Sequence, residues 1–108
     1  MKNTVKSAED CQNMTDLRQA IDALDGELVL LLARRQRYIE RAAQIKGSRA
    51  AVRDEARVED VVAKVLVRAG ASDLSPAIAE PVWRALIEAS IQHEFAAFDA
   101  INGPQAAK

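Results

Sequence analysis

From Leu17 onward the apolar residues return every three or four positions: Leu17, Ile21, Leu24, Leu28, Leu31, Ile39 and Ala42 fall on one side of a helix, and alternation of period two persists nowhere. The pattern predicts a first helix that opens with Thr15 as N-cap, runs to about Lys46 and stops at Gly47-Ser48. Asp54 offers the cap of a second helix, whose apolar positions Val58, Val61, Val62, Val65 and Leu66 end before Gly70. Ser75-Pro76, a cap followed by proline at the first helical position, opens a third helix through Val82, Trp83, Leu86, Ile87, Ile91, Phe95 and Phe98. Pro81 is expected to kink its early turns, and Asn102-Gly103-Pro104 to stop it. The predicted fold class is all-α, with three helices per chain and a helical domain over residues 15–102. A polar, flexible segment at 1–14 precedes it and a tail at 103–108 follows.

The first helix would be on the order of 48 Å long, whereas a compact domain of this size has a radius of gyration of about 13 Å. Two shorter helices of the same chain cannot cover its whole stripe. A second copy is expected to do so, giving an intertwined helical homodimer in which folding is tied to assembly.

Two cations interrupt that stripe. Arg35 and Lys46 project within roughly 40° of its centre, about 16 Å apart along the axis. Such side chains are seldom buried without an anion, and the same helix's Glu27 and Glu40 lie off the line. Either both snorkel, covering apolar surface with their stems, or they converge on one small dianion. Arg34, Arg37 and Arg41 fall on the opposite side and read as a solvated face. Arg18 lies about 42 Å from Lys46 along a straight helix and cannot join it from the same chain. It is a surface arginine of the first turn, or it completes the site from an antiparallel partner helix. On the third helix Ile87, Ile91, Glu94 and Phe98 share one face, with Ser90 a turn before Glu94. A carboxyl group in apolar surroundings stays protonated and donates a hydrogen bond, unless it pairs with Arg35 or Lys46 as a structural ion pair. His93 points elsewhere, and Trp83 reads as core.

Composition narrows the classes further. Of 108 residues, 49% are apolar, enough for one domain's core, and a net charge of −1 advertises neither nucleic acid nor a membrane surface. The longest apolar run, Leu28 to Ala33, is too short to cross a bilayer, and the first residues lack a signal peptide's apolar segment, so a cytoplasmic protein is expected. One cysteine, Cys11, and one histidine, His93, exclude an internal disulfide and a cysteine-based metal cluster, and no carboxylates cluster to hold a metal instead.

The ordered pieces Thr15-Asp16-Leu17-Arg18-Gln19-Ala20-Ile21-Asp22 with Asp25, then Leu31-Leu32-Ala33-Arg34-Arg35, then Lys46, then Val52-Arg53-Asp54 with Arg57, resemble the small all-α chorismate mutases, a family that includes the related isochorismate-pyruvate lyases. The resemblance extends from about Asp10 to Asp99, and its specificity lies in the spacing of Arg18, Arg35 and Lys46. It implies an intertwined dimer with two sites, each using Arg18 in trans and Arg35 and Lys46 in cis. It also implies that Asp54, Arg57, Ser90 and Glu94 line the pocket for chorismate or isochorismate, a small dianion, and that no cofactor is required.

In that reading the arginines clamp carboxylates, while Lys46 donates to the ether oxygen on which charge grows as the C–O bond of chorismate breaks. Glu94 stands where many members carry glutamine, and helps only when protonated, so turnover is expected to fall as pH rises and the acid ionises. Val58 replaces a glutamate that typical mutases use against the ring hydroxyl. That change and Glu9-Asp10-Cys11 are closer to the lyases, whereas Val52-Arg53-Asp54 is closer to the mutases and the lyases' glutamine is absent at Glu94. The expected activity is chorismate to prephenate, with isochorismate cleavage to salicylate and pyruvate as the alternative. A non-catalytic regulatory or adaptor dimer is the reading from another class. The cations argue against it, because a scaffold would gain stability from apolar residues at Arg35 and Lys46. Nucleic-acid binding through the seven cations from Arg34 to Arg53 is disfavoured by their division between helix faces and by Asp54, Glu55, Glu59 and Asp60 following directly.

Overall fold

The computed structural model describes residues 5–103, and among these the chain forms three α-helices and two single-turn 3-10 helices, with no strand. Residues 1–4 and 104–108, the outer ends of the expected flexible segment and tail, lie outside the described residues. Helix α1 spans Met14–Ile45, α2 spans Glu55–Ala71 and α3 spans Pro76–Asn102.

Capping explains where each begins. The cap of α1 is Asn13 rather than the expected Thr15. The Asn13 side-chain oxygen accepts the Asp16 N–H at 2.8 Å and its carbonyl accepts the Leu17 N–H at 3.1 Å, leaving Thr15 inside the first turn. Ahead of it, a 3-10 turn at Ala8–Asp10 is capped by Ser7. Lys6 reaches Asp16 at 3.2 Å, and that contact, followed by the Gln12 N–H, holds the Asp16 carboxyl below its usual range. Asp54 caps α2 by accepting the Arg57 N–H at 3.1 Å, and Ser75 caps α3 by accepting the Ala77 N–H at 3.1 Å, with Pro76 at the first helical position. α3 continues through Pro81 in its second turn without a break.

The end of α2 departs from expectation, because the helix passes through Gly70 to Ala71. The left-handed residue that stops it is Asp73, at φ 58°. Leu74 N–H then bonds Ala69 O at 2.8 Å and Asp73 N–H approaches Gly70 O at 3.4 Å, the paired bonds of a Schellman motif. At the far end of α3, Gly103 takes φ 75° and donates its N–H to Asp99 O at 2.8 Å.

The chain divides into two units, Met1–Arg37 and Tyr38–Lys108. In the first, no described residue is buried: Ile21 and Leu24 are each 47% exposed, Leu28 54% and Leu31 55%. The predicted apolar stripe of α1 is therefore bare over these turns. In the second, Ala43, Val52, Val62, Ile87, Ile91 and Phe98 form the core, with Val58, Val61, Leu66 and Trp83 packed around it. α2 lies against α3, and Arg84 of α3 grips Glu59 of α2 through two hydrogen bonds of 3.0 Å while its Nε meets Glu80 at 2.9 Å. Tertiary packing and ion pairs thus concentrate where the candidate site residues Lys46 and Glu94 lie.

Candidate active site

Lys46 is the first residue beyond α1, its N–H still bonded to Ala42 O at 2.9 Å. Its stem is half-buried, and the ammonium sits 3.5 Å from the Val52 carbonyl and 2.7 Å from Glu94 Oε2. Glu94 is only 4% exposed, on the α3 face that also buries Ile87, Ile91 and Phe98. The contact has the distance of an ion pair but not the angles of a hydrogen bond, so this buried oxygen has a compensating charge and no aligned donor among the described residues. Of the two cations the sequence offers as neighbours of Glu94, the structure sets Lys46 at ion-pair distance.

A lysine that reaches solvent through about a third of its surface and meets an occluded carboxylate at its tip is suited to receiving an anion, since the ammonium can turn toward an entering acceptor. Val52, 3% exposed, closes the apolar side of this arrangement, and burying it contributes about 2 kcal/mol.

The other expected site residues are placed as follows. Ser90 is half-buried one turn before Glu94 on α3. Asp54 and Arg57 are exposed at the start of α2, Asp54 as its cap and Arg57 donating to Asp60 at 2.7 Å. Arg35 is half-buried and Arg18 exposed on the part of α1 that belongs to the N-terminal unit. Val58, where the resemblance implied a glutamate, packs against the core. His93, expected at the surface, is exposed and meets Glu40 at 2.7 Å. Among the described residues no group of three or more His, Cys, Asp or Glu is arranged to hold a metal, and no helix is long and apolar enough to cross a membrane.

Sequence reasoning missed the ion pairs beside the site. Arg53 forks onto Glu88 of α3 at 2.9 and 2.8 Å, and Arg49 forks onto Asp99 at 2.9 and 3.2 Å with its guanidinium 4.4 Å from the Phe95 ring centroid. Arg53, and after it Gln92, hold the Glu88 carboxyl down to about 2. These partners stand 35 and 50 positions apart in the chain, beyond any local periodicity. The only hint was an excess of arginine between the first two helices.

Comparison with known proteins follows the same residues. Positions 17–95 match the family model described as chorismate mutase type II. The isochorismate pyruvate lyase of Pseudomonas aeruginosa is 41% identical over 54 residues, covering 50% of this chain and 54% of the relative. The chain thus spans about half the length of the curated relative it matches.

Proposed function

The chain belongs to the chorismate mutase type II family, and from that premise we propose that it converts chorismate to prephenate without a cofactor. The observation that carries the reading is the Lys46 ammonium held 2.7 Å from the occluded Glu94 carboxylate. A cation partly shielded by apolar surface is worth more to a developing oxyanion than the same cation in water, because fewer water molecules compete with it.

The substrate carries two carboxylates and a breaking ether bond. Lys46 donates to the ether oxygen, while Arg35 and a partner subunit's Arg18 clamp the carboxylates and hold the folded, reactive conformer. Asp54, Arg57 and Ser90 complete the lining of the pocket. The trans arginine requires a homodimer, and the bare stripe of Ile21, Leu24, Leu28 and Leu31 supports one, since so much exposed apolar surface is a liability for an isolated chain. In the working complex Lys46 exchanges Glu94 for substrate.

A second reading, cleavage of isochorismate to salicylate and pyruvate, is favoured by the Pseudomonas aeruginosa relative and by Val58. Both reactions are pericyclic steps on nearly the same dianion, and one pocket can serve both at unequal rates. Incubating the protein separately with chorismate and isochorismate near pH 5 and pH 7.5, with products followed by proton NMR, decides between them. Prephenate as the dominant product supports the mutase, and salicylate with pyruvate the lyase. No turnover of either leaves a binding or regulatory dimer. Lys46→Gln should lower kcat by about two to three orders of magnitude on whichever substrate is used.

A further inference from the structure

Nine residues, 46–54, join α1 to α2, and this connection carries Lys46 at its start. Its own hydrogen bonds are few: a 3-10 turn at Arg49–Ala51, in which Ala51 N–H bonds Ser48 O at 3.1 Å and Val52 N–H bonds Arg49 O at 3.1 Å, opened by a Ser48 whose side chain makes no capping bond. What seats it on α3 is the buried Val52 together with three cations, each meeting a different α3 carboxylate: Lys46 with Glu94, Arg49 with Asp99 and Arg53 with Glu88.

The last two differ from the first in geometry. On a helical projection of α3, Glu88, Phe95 and Asp99 share one ridge, about 120° round from Glu94. Each arginine makes two parallel bonds to that ridge, one above and one below the level of Glu94. Most exposed ion pairs hold nothing in place, but a planar fork on a carboxylate is the exception, because one rigid group satisfies two acceptors at once. Arg49 has the further constraint of stacking on Phe95. Arg49 commits its guanidinium to α3, and Arg53 does so with a looser approach to Glu55 of α2 at 3.7 Å, so both act on the seating of the connection.

We propose that Arg49–Asp99 and Arg53–Glu88 are positioning pairs that clamp the 46–54 connection onto α3 and so keep the Lys46 ammonium at the site. The proposal rests on reading Lys46 as a substrate ligand. With the clamp released, the connection spends part of its time lifted, and only the seated fraction binds. Apparent affinity then falls by that fraction, while the chemistry of the bound complex is unaltered.

The test combines kinetics with amide hydrogen exchange on the full-length protein. Arg49→Gln or Arg53→Gln alone should raise KM about threefold, and the two together about tenfold, with kcat within about twofold of wild type. Exchange follows the lifted fraction, which is small while the clamp is intact, so the Ala51 and Val52 amides should speed up by more than KM rises, while the Ile91 amide inside α3 keeps its rate. Exchanging the charges, as Arg53→Glu with Glu88→Arg, should restore both readouts. Arg84→Gln removes an equally good fork between α2 and α3 away from the connection, and should leave KM unchanged. Unchanged exchange at Ala51 and Val52 in the double variant overturns the clamp, as does an equal rise in KM from Arg84→Gln. If the wild-type chain turns over neither substrate, the functional reading fails while the exchange rates still decide whether the clamp exists.

Discussion

At the scale of single residues, Lys46 and Glu94 depend on each other unequally. The Glu94 side chain is 6% exposed and that of Lys46 30%. Removing the lysine strands a carboxylate away from water, whereas removing the carboxylate leaves an ammonium that can hydrate. Lys46→Met should therefore cost about 3 kcal/mol and Glu94→Leu less than about 1 kcal/mol, measured by urea unfolding; equal costs would mean that the pair is not buried as described. Glu88 supplies a pH dependence. Its carboxyl is held to about 2 in the folded chain against an ordinary 4.5, chiefly by Arg53. Between those values the unfolded chain binds the extra proton, so this contribution is complete above about 4.5 and is lost as pH falls through about 2. Glu59 and Asp60, also lowered by their cationic partners, lose stability in the same direction. Glu88→Gln should therefore make acid unfolding shallower without abolishing it. Glu94 was legible as an anomaly because its i, i+4, i+7 spacing with apolar neighbours is a local property. Arg49 and Arg53 were not, because a fork onto a carboxylate leaves no periodic trace.

At the scale of elements, the caps separate short-range logic from its limits. Ser75, Pro76 and Asp54 act as the sequence indicates, because an oxygen two or three residues ahead of an unbonded N–H needs no tertiary help. Thr15 and Asn13 competed for the start of α1, and the longer Asn13 side chain bonds the Asp16 N–H. Gly70 misled because a glycine near a helix end is the usual stop signal, yet the left-handed position fell three residues later on Asp73. A side chain there costs roughly 1–2 kcal/mol, and glycine gives back about 0.5–1 kcal/mol in chain entropy. Asp73→Gly should stabilise the protein by about 0.5 kcal/mol, seen as a higher urea midpoint at unchanged slope. A lower midpoint would show that the Asp73 side chain itself supports the turn.

At the scale of the whole molecule, the bare stripe on α1 governs behaviour. Leu24 and Leu28 are about half exposed in the single chain, so a charge at either costs little unless another surface covers them. On the proposed homodimer, Leu28→Glu should shift the protein to monomers in sedimentation velocity at micromolar concentration and lower its helical circular dichroism. A sedimentation profile identical to wild type would exclude that face from assembly. The sequence by itself determined the class, the number and approximate bounds of the helices, and the list of polar residues standing on apolar faces, because helical periodicity and capping act over a few residues. Tertiary structure decided that Glu94 pairs with Lys46, that Val52 is buried, and that the connection between α1 and α2 is seated on α3 by two arginine forks. The pairings join groups 35 to 50 positions apart in the chain, and only the seating of the connection on α3 brings them together.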